Sequence, residues 1–229
     1  MKLQNWLCNN CGQPVNPFYA KKFRFCHFFG KFCCAPCHSN KQHVLPSLIL
    51  YRWEFKEQKV SDYAMTVLTE MADKAVIPIQ EINSLLIHKV TRLDQAAQLR
   101  NAASKASKYL EACRFFQEDK KEESLPMLTS FQDPLVFSLN DLCSIRLGVY
   151  NDRLASELDT AINHILSCEL CRAKAFHCER CRAQDLIFPF QDLIVQCQVC
   201  FACYHKECFK TPCTKCLRLQ IRDKTLTEL

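Results

Sequence analysis

CELCRAKAFHCERCRAQDLIFPFQDLIVQCQVCFACYHKECFKTPCTKC, residues 168–216, holds ten cysteines, most of them in pairs two residues apart. The pairs are Cys168/Cys171, Cys178/Cys181, Cys197/Cys200 and Cys213/Cys216, with Cys203, His205 and Cys208 set between the last two. A Cys-x-x-Cys turn points two thiolates at one tetrahedral metal, and Zn²⁺ takes two such contributions to complete its shell. His164, four residues before Cys168, brings the donor count to a multiple of four and makes three shells. In cross-brace folds alternate pairs share a metal. That rule groups Cys178, Cys181, His205 and Cys208, then Cys197, Cys200, Cys213 and Cys216. It leaves His164, Cys168, Cys171 and Cys203 for the third shell. A local shell of Cys168, Cys171, Cys178 and Cys181 is the competing partition. Every shell is closed by protein donors, so no position stays open for a metal-bound water. His177 reads as a surface residue.

The other end of the chain repeats the theme. Cys8-x-x-Cys11 is followed directly by Gly12, which suits a tight knuckle backbone. Phe23 to Phe32 is aromatic-rich with Gly30 inside it, the pattern of a short hairpin. Cys34-x-x-Cys37 closes the segment. Cys8, Cys11, Cys34 and Cys37 make one Cys₄ shell of ribbon or treble-clef type, which brings the expected total to about four structural Zn²⁺ ions. Cys26, Cys33, His27 and His38 are left over, and packing is their expected role, since free cysteine behaves as a small buried hydrophobe.

Three segments follow from composition: an N-terminal Cys₄ finger over 1–45, a helical subdomain over 46–163 and a multi-zinc module over 164–229, similar to RING, FYVE or phorbol-ester fingers. The expected fold class is mainly α with small zinc-stabilised β/α modules: a ribbon or treble clef, a helical middle and a cross-brace-like C-terminal module. Within the middle, Ser61 caps a helix running to about Ala72, and Pro78 opens the next. Ile79, Ile82, Leu86, Val90, Leu93 and Ala97 recur at intervals of three and four and form one apolar stripe. The pattern continues through Leu110 and Cys113 to Phe116, which predicts one helix close to ~40 residues long, beyond the usual globular range. Glu118 to Pro134, with its run Asp119-Lys120-Lys121-Glu122-Glu123, reads as a charged loop. Ser138 with Asp141 three residues on marks another helix start, and Gly148 breaks the pattern running from Leu142 to Ile165. Cys113 and Cys143 stand alone and read as core residues.

Composition limits function. Eighteen cysteines in 229 residues would fit a disulfide scaffold only in a secreted chain, and Met1 to Leu7 shows no apolar leader. No apolar run approaches the ~20 residues of a membrane span. Three glycines leave no Gly-rich phosphate loop. The formal charge of +6 is consumed by metal-bound thiolates, so it gives no ground for a nucleic-acid partner.

The motifs together resemble the Rubicon-homology domain, found at the C-termini of Rubicon, Pacer and the pleckstrin-homology M proteins. The resemblance is carried by Arg24 to Phe32 with Cys34-x-x-Cys37-His38, Leu45-Pro46-Ser47, Trp53-Glu54-Phe55, Cys113-Arg114 and Phe137 to Leu142. It continues through Cys168-Glu-Leu-Cys171, Cys178-Glu-Arg-Cys181, Ile187 to Phe190, Cys203 to Phe209 and Cys213-x-x-Cys216. Cys33 departs from the aromatic residue usual in the family, whereas Cys26 and His38 match family positions, which implies a structural or secondary metal role for those two. The resemblance implies a non-catalytic effector that binds a late-endosomal Rab GTPase in its GTP form, in the cytoplasm at late endosomes and lysosomes, during autophagy and endosome–lysosome traffic. No GTPase-contact residue carries over, and the stripe from Ile79 to Ala97 is the candidate contact face. One rival is a RING-type ubiquitin ligase, but Glu179 and Arg180 stand where a ligase usually places an apolar docking residue. The other is a phosphoinositide- or diacylglycerol-binding finger, which lacks its basic or Gly-rich signature here. Peripheral membrane contact through Lys/Arg and exposed aromatics such as Phe201 stays compatible with either.

Overall fold

The computed structural model describes residues 2–118, 125–130, 132–181 and 183–227. The charged run Asp119 to Glu123 lies outside the described residues. Helices dominate: α1 (Pro46–Arg52), α2 (Asp62–Met71), α3 (Ile79–Lys89), α4 (Thr91–Glu111), α5 (Arg114–Glu118), α6 (Pro126–Thr129), α7 (Leu139–Leu147), α8 (Val149–Ser167), α9 (Glu169–Arg172) and α10 (Thr214–Thr227). Among the described residues the strands form antiparallel pairs: β1 (Arg24–Cys26) with β2 (Lys31–Cys33), β3 (Lys41–His43) with β4 (Gln58–Val60), β5 (Ile77–Pro78) with β6 (Val136–Phe137), and β7 (Ile194–Gln196) with β8 (Cys203–His205). The expected class, mainly α with small Cys/His-rich strand modules, is the one observed.

Internal contacts group the chain into two units, 1–94 with 135–150, and 95–134 with 151–229. The compositional segments 1–45, 46–163 and 164–229 do not follow this grouping. The reason is packing: the N-terminal finger shares its core with helices that follow it.

In the first unit, Cys26, Cys33, Leu45, Val60, Ala64 and Leu68 form that shared core, with Phe23, Phe28, Phe29 and Met65 packed against it. The β1–β2 hairpin turns at Gly30, whose φ of +65° is the left-handed geometry glycine adopts without strain. His38 is fully buried, and its ring is spent on the backbone. Nδ1 accepts from Asn40 N–H at 3.1 Å, so Nε2 carries the hydrogen and donates to the Phe25 carbonyl at 3.2 Å. Cys26 accepts from Ser61 N–H at 3.3 Å. Both residues therefore act as buried hydrogen-bonding pieces of this core.

Both predicted caps form. Ser61 accepts from Ala64 N–H at 3.3 Å at the start of α2. Ser138 and Asp141 make a reciprocal capping box on α7, with Ser138 Oγ accepting from Asp141 N–H at 3.0 Å and Asp141 accepting from Ser138 N–H at 2.9 Å. Gly148 ends that helix in the left-handed region. Since Ser138 is buried, Ser138→Ala strands the Asp141 N–H while the Ser138 N–H keeps its carboxylate, and urea unfolding is expected to show a loss of about 1–2 kcal/mol.

The single long helix predicted from the apolar stripe is broken in three places. Asn83 leaves helical geometry (φ −155°, ψ 81°), its side-chain amide donating to the Leu50 carbonyl at 2.8 Å. A side chain that bonds a distant carbonyl competes with the helix. Val90 is extended between α3 and α4, and the chain turns again between Glu111 and Arg114. The stripe is no contact face: Ile79, Leu86, Leu93 and Ala97 are buried, and Ile82 is the exposed member. A three-four periodicity reports an apolar face and is silent on what covers it.

In the second unit, small side chains at Ala96, Ala97, Ala103 and Ala106 are buried along α4. Tyr109 meets Phe188 and Phe190 edge-on at 5.6 and 6.0 Å. Buried Glu157 accepts from Met127 N–H at 2.8 Å and Leu128 N–H at 3.1 Å, satisfying donors at the start of α6.

Candidate metal centres

Among the described residues, Cys and His side chains converge in four groups whose donor atoms lie within 4.8 Å of one another. They are Cys8/Cys11/Cys34/Cys37, Cys113/His164/Cys168/Cys171, Cys178/Cys181/His205/Cys208 and Cys197/Cys200/Cys213/Cys216. The first lies in the first unit and the other three in the second.

Donor separations test whether a metal fits. A tetrahedral Zn²⁺ with Zn–S bonds of about 2.3 Å sets its sulfurs roughly 3.8 Å apart. The Sγ–Sγ separations are 3.7 Å for Cys11–Cys34, 3.7 Å for Cys113–Cys168, 3.7 Å for Cys197–Cys216 and 3.4 Å for Cys200–Cys213. The imidazoles sit correspondingly closer: His164 Nε2 is 3.4 Å from Cys113 Sγ, and His205 Nδ1 is 3.3 Å from Cys181 Sγ. None approaches the about 2.05 Å of a disulfide. Each group can hold a metal ion.

The first centre is framed by two knuckles. Cys8 Sγ accepts from the N–H groups of Asn10 at 3.4 Å and Cys34 at 3.3 Å. Burial works against the Cys8 thiolate, but these amides and that of Cys11 outweigh it and bring the thiol down to about 6. Cys178 follows the same rule, burial opposed and exceeded by the amides of Arg180, His205 and Cys181, again to about 6. At Cys197 the amides of Cys200 and Val199 are the leading cause of a fall to about 6. In the folded knuckles, the amides thus favour the leading cysteine as the thiolate, the form that binds metal. Later donors go the other way: burial drives Cys34 up to about 12, and hydrogen bonding from Cys213 is the first cause raising Cys216.

Two centres interleave as the cross-brace rule predicts. Cys197 and Cys200 stand at the turn between β7 and β8, and Cys213 and Cys216 open α10. His205 ends β8, where it meets Cys178 and Cys181, and Cys208 lies one turn further on. The two knuckles are tied together, since Glu179 accepts from Arg218 at 2.7 Å and from Thr214 at 3.3 Å.

The remaining centre differs from the sequence reading. His164, Cys168 and Cys171 come together, but their fourth partner is Cys113, not Cys203. Neither the Cys203 grouping nor the local shell of Cys168, Cys171, Cys178 and Cys181 forms. Cys113 occupies the turn between α4 and α5, where Phe116 and Gln117 N–H groups bond its carbonyl at 3.1 and 3.2 Å. Lys174 reaches back to the neighbouring Ala112 carbonyl at 2.8 Å, holding that turn beside the donors that follow α8. Cys203, on β8, is buried, and burial pushes its thiol up to about 11. Spacing missed Cys113 because it is a lone cysteine 51 residues from His164. The available signal was its place in the motif Cys113-Arg114. His177 is exposed and belongs to no group, as read.

The family model described as the Rubicon Homology Domain matches residues 24–221. The chain belongs to the Rubicon-homology domain family. Among relatives, the mouse (Mus musculus) Run domain Beclin-1-interacting and cysteine-rich domain-containing protein is 37% identical over 230 residues, covering 98% of this chain and 24% of that protein. The human (Homo sapiens) Protein associated with UVRAG as autophagy enhancer is 35% identical over 227 residues, 97% of this chain and 34% of that protein. The human Pleckstrin homology domain-containing family M member 3 is 29% identical over 225 residues, 96% of this chain and 29% of that protein. The Rubicon-homology chain thus spans about a third or less of the length of these relatives. None of its described helices is long and apolar enough to cross a membrane.

Proposed function

We propose that this Rubicon-homology chain is a non-catalytic interaction domain built on about four structural Zn²⁺ ions, and that it binds a late-endosomal Rab GTPase in the GTP form. The observation that carries the scaffold reading is that each donor group supplies four protein ligands. Structural zinc sites are closed in this way, whereas catalytic ones keep a position for water or substrate. Scaffold metal in turn fits a domain whose product is a binding surface.

The GTPase partner, and a place in the cytoplasm at late endosomes and lysosomes, come from the family resemblance. The relatives' names support a setting in autophagy: one is described as associated with UVRAG as an autophagy enhancer, another as Beclin-1-interacting. Against a ligase reading, Glu179 is engaged by Arg218 and Thr214 in the knuckle where a conjugating enzyme would dock. The expected result of a pull-down with Rab proteins is capture in the GTP-loaded form, at least tenfold over the GDP-loaded form, a gap of about 1.4 kcal/mol. Equal capture of both forms, or of neither, sinks the effector reading.

A further inference from the structure

The two histidine-containing centres present opposite ring nitrogens. His164 turns Nε2 to its group, 3.4 Å from Cys113 Sγ, whereas His205 turns Nδ1 to its own, 3.3 Å from Cys181 Sγ. An imidazole ring sends its second nitrogen away from the metal. For His205 that nitrogen is Nε2, which lies 2.9 Å from Asp185 Oδ2. In a neutral ring bound through Nδ1, Nε2 carries the hydrogen, and an ionised carboxylate is an acceptor only. The contact is therefore an N–H donated to Asp185.

We propose that Asp185 is the positioning residue that holds His205 as an Nδ1 ligand in the Cys178/Cys181/His205/Cys208 centre. The inference rests on the zinc reading above. Ligating histidines commonly give their other N–H to a carboxylate, which fixes ring orientation and raises donor strength. Here the two partners arrive on separately anchored segments. Phe176 and Ile187 exchange two backbone hydrogen bonds of 2.9 Å, which set the strand of chain carrying Asp185 beside the Cys178 knuckle. His205 is placed by its pairing with Ile194 across β7 and β8, extended by Lys206 N–H to the Leu193 carbonyl at 2.8 Å. A plain surface ion pair would put no demand on which nitrogen faces the thiolates. The exposure of Asp185, 53%, makes it replaceable without opening a core.

The test uses the whole chain loaded with zinc. Native mass spectrometry first counts the metals of the wild type, and a count lacking this centre overturns the zinc reading itself. Zinc transfer to a chromogenic chelator is then followed for the wild type, Asp185→Ala, Asp185→Asn and Asp192→Asn, a nearby exposed carboxylate as control. In Asp185→Ala one zinc is expected to leave roughly 10–100-fold faster while the others keep their rates. Asp185→Asn, which retains an acceptor oxygen, is expected to fall between that variant and the wild type. Long-range ¹H–¹⁵N spectra of His205 are expected to show metal on Nδ1 and hydrogen on Nε2 in the wild type, with a broadened or reversed pattern in Asp185→Ala. Full zinc content with unchanged release and an unchanged His205 ring in Asp185→Ala overturns the inference and leaves an ordinary ion pair.

Discussion

Stripping zinc from the loaded chain with a strong chelator is expected to collapse the tertiary structure around β7 and β8, and zinc added back is expected to restore it. The core there consists of Cys178, Ile187, Cys197, Ala202, Cys203, Tyr204 and Cys213, with Phe176, Ile194, Phe209, Cys181, Cys200, Cys208 and Cys216 packed against it. Thiols make up just over half of that cluster, and all of them but Cys203 belong to the donor groups. Without metal they are buried sulfurs held 3.4–3.7 Å apart with little apolar surface to repay their ordering. A structural zinc contributes about 10–16 kcal/mol of apparent binding energy to such folds. That equals or exceeds the about 5–15 kcal/mol by which whole domains are stable. The signals to follow are near-UV circular dichroism and protease protection across residues 168–216. The helices of both units bury apolar side chains, among them Ile49, Leu68 and Ile79 in the first and Leu110, Leu154 and Ile165 in the second, so the helical signal is expected to outlast the near-UV signal. A spectrum and digestion pattern unchanged after verified metal removal contradicts the structural-zinc reading.

Replacing Cys113 and Cys203 separately should give opposite results, although both are buried cysteines. Cys113→Ala removes one donor from a closed shell, so the zinc count is expected to fall from four to three. The cost is expected to be several kcal/mol, because the remaining donors of the shell lose their metal and stay buried or half-buried. It also frees the turn between α4 and α5 from the segment after α8, which that centre joins across 51 residues. Cys203→Ala trims one sulfur from a packed strand. It is expected to keep all four metals and lose about 1 kcal/mol, the scale of a small core truncation. Metal counting and thermal unfolding on the two variants decide the matter. If Cys203→Ala loses a zinc and Cys113→Ala keeps four, the assignment of the second unit's centres is wrong.

Legibility in the sequence followed the range of the interaction. The Cys-x-x-Cys knuckles were readable because four consecutive residues set where two thiolates point. The caps at Ser61 and Ser138 were readable because a side chain and an amide three residues away make the whole contact. The cross-brace partition of His205, Cys208, Cys213 and Cys216 came from a rule about alternating pairs and matches the observed groups. The long helix failed for the complementary reason. Asn83 departs from helix to bond Leu50, 33 residues away, and nothing in the local periodicity carries that bond.

By itself, the sequence determined that the chain is rich in cysteine pairs spaced to hold metal, helical in its middle and a Rubicon-homology domain, since paired cysteines, capping residues and family motifs are local patterns. Only the tertiary structure decided that Cys113 and not Cys203 completes the His164 group, that the stripe from Ile79 to Ala97 is largely interior, and that His38 is spent on backbone. Those outcomes depend on which distant segments pack together. A lone cysteine becomes a donor only when helices bring it within reach of three others, and an apolar face becomes core only when something covers it.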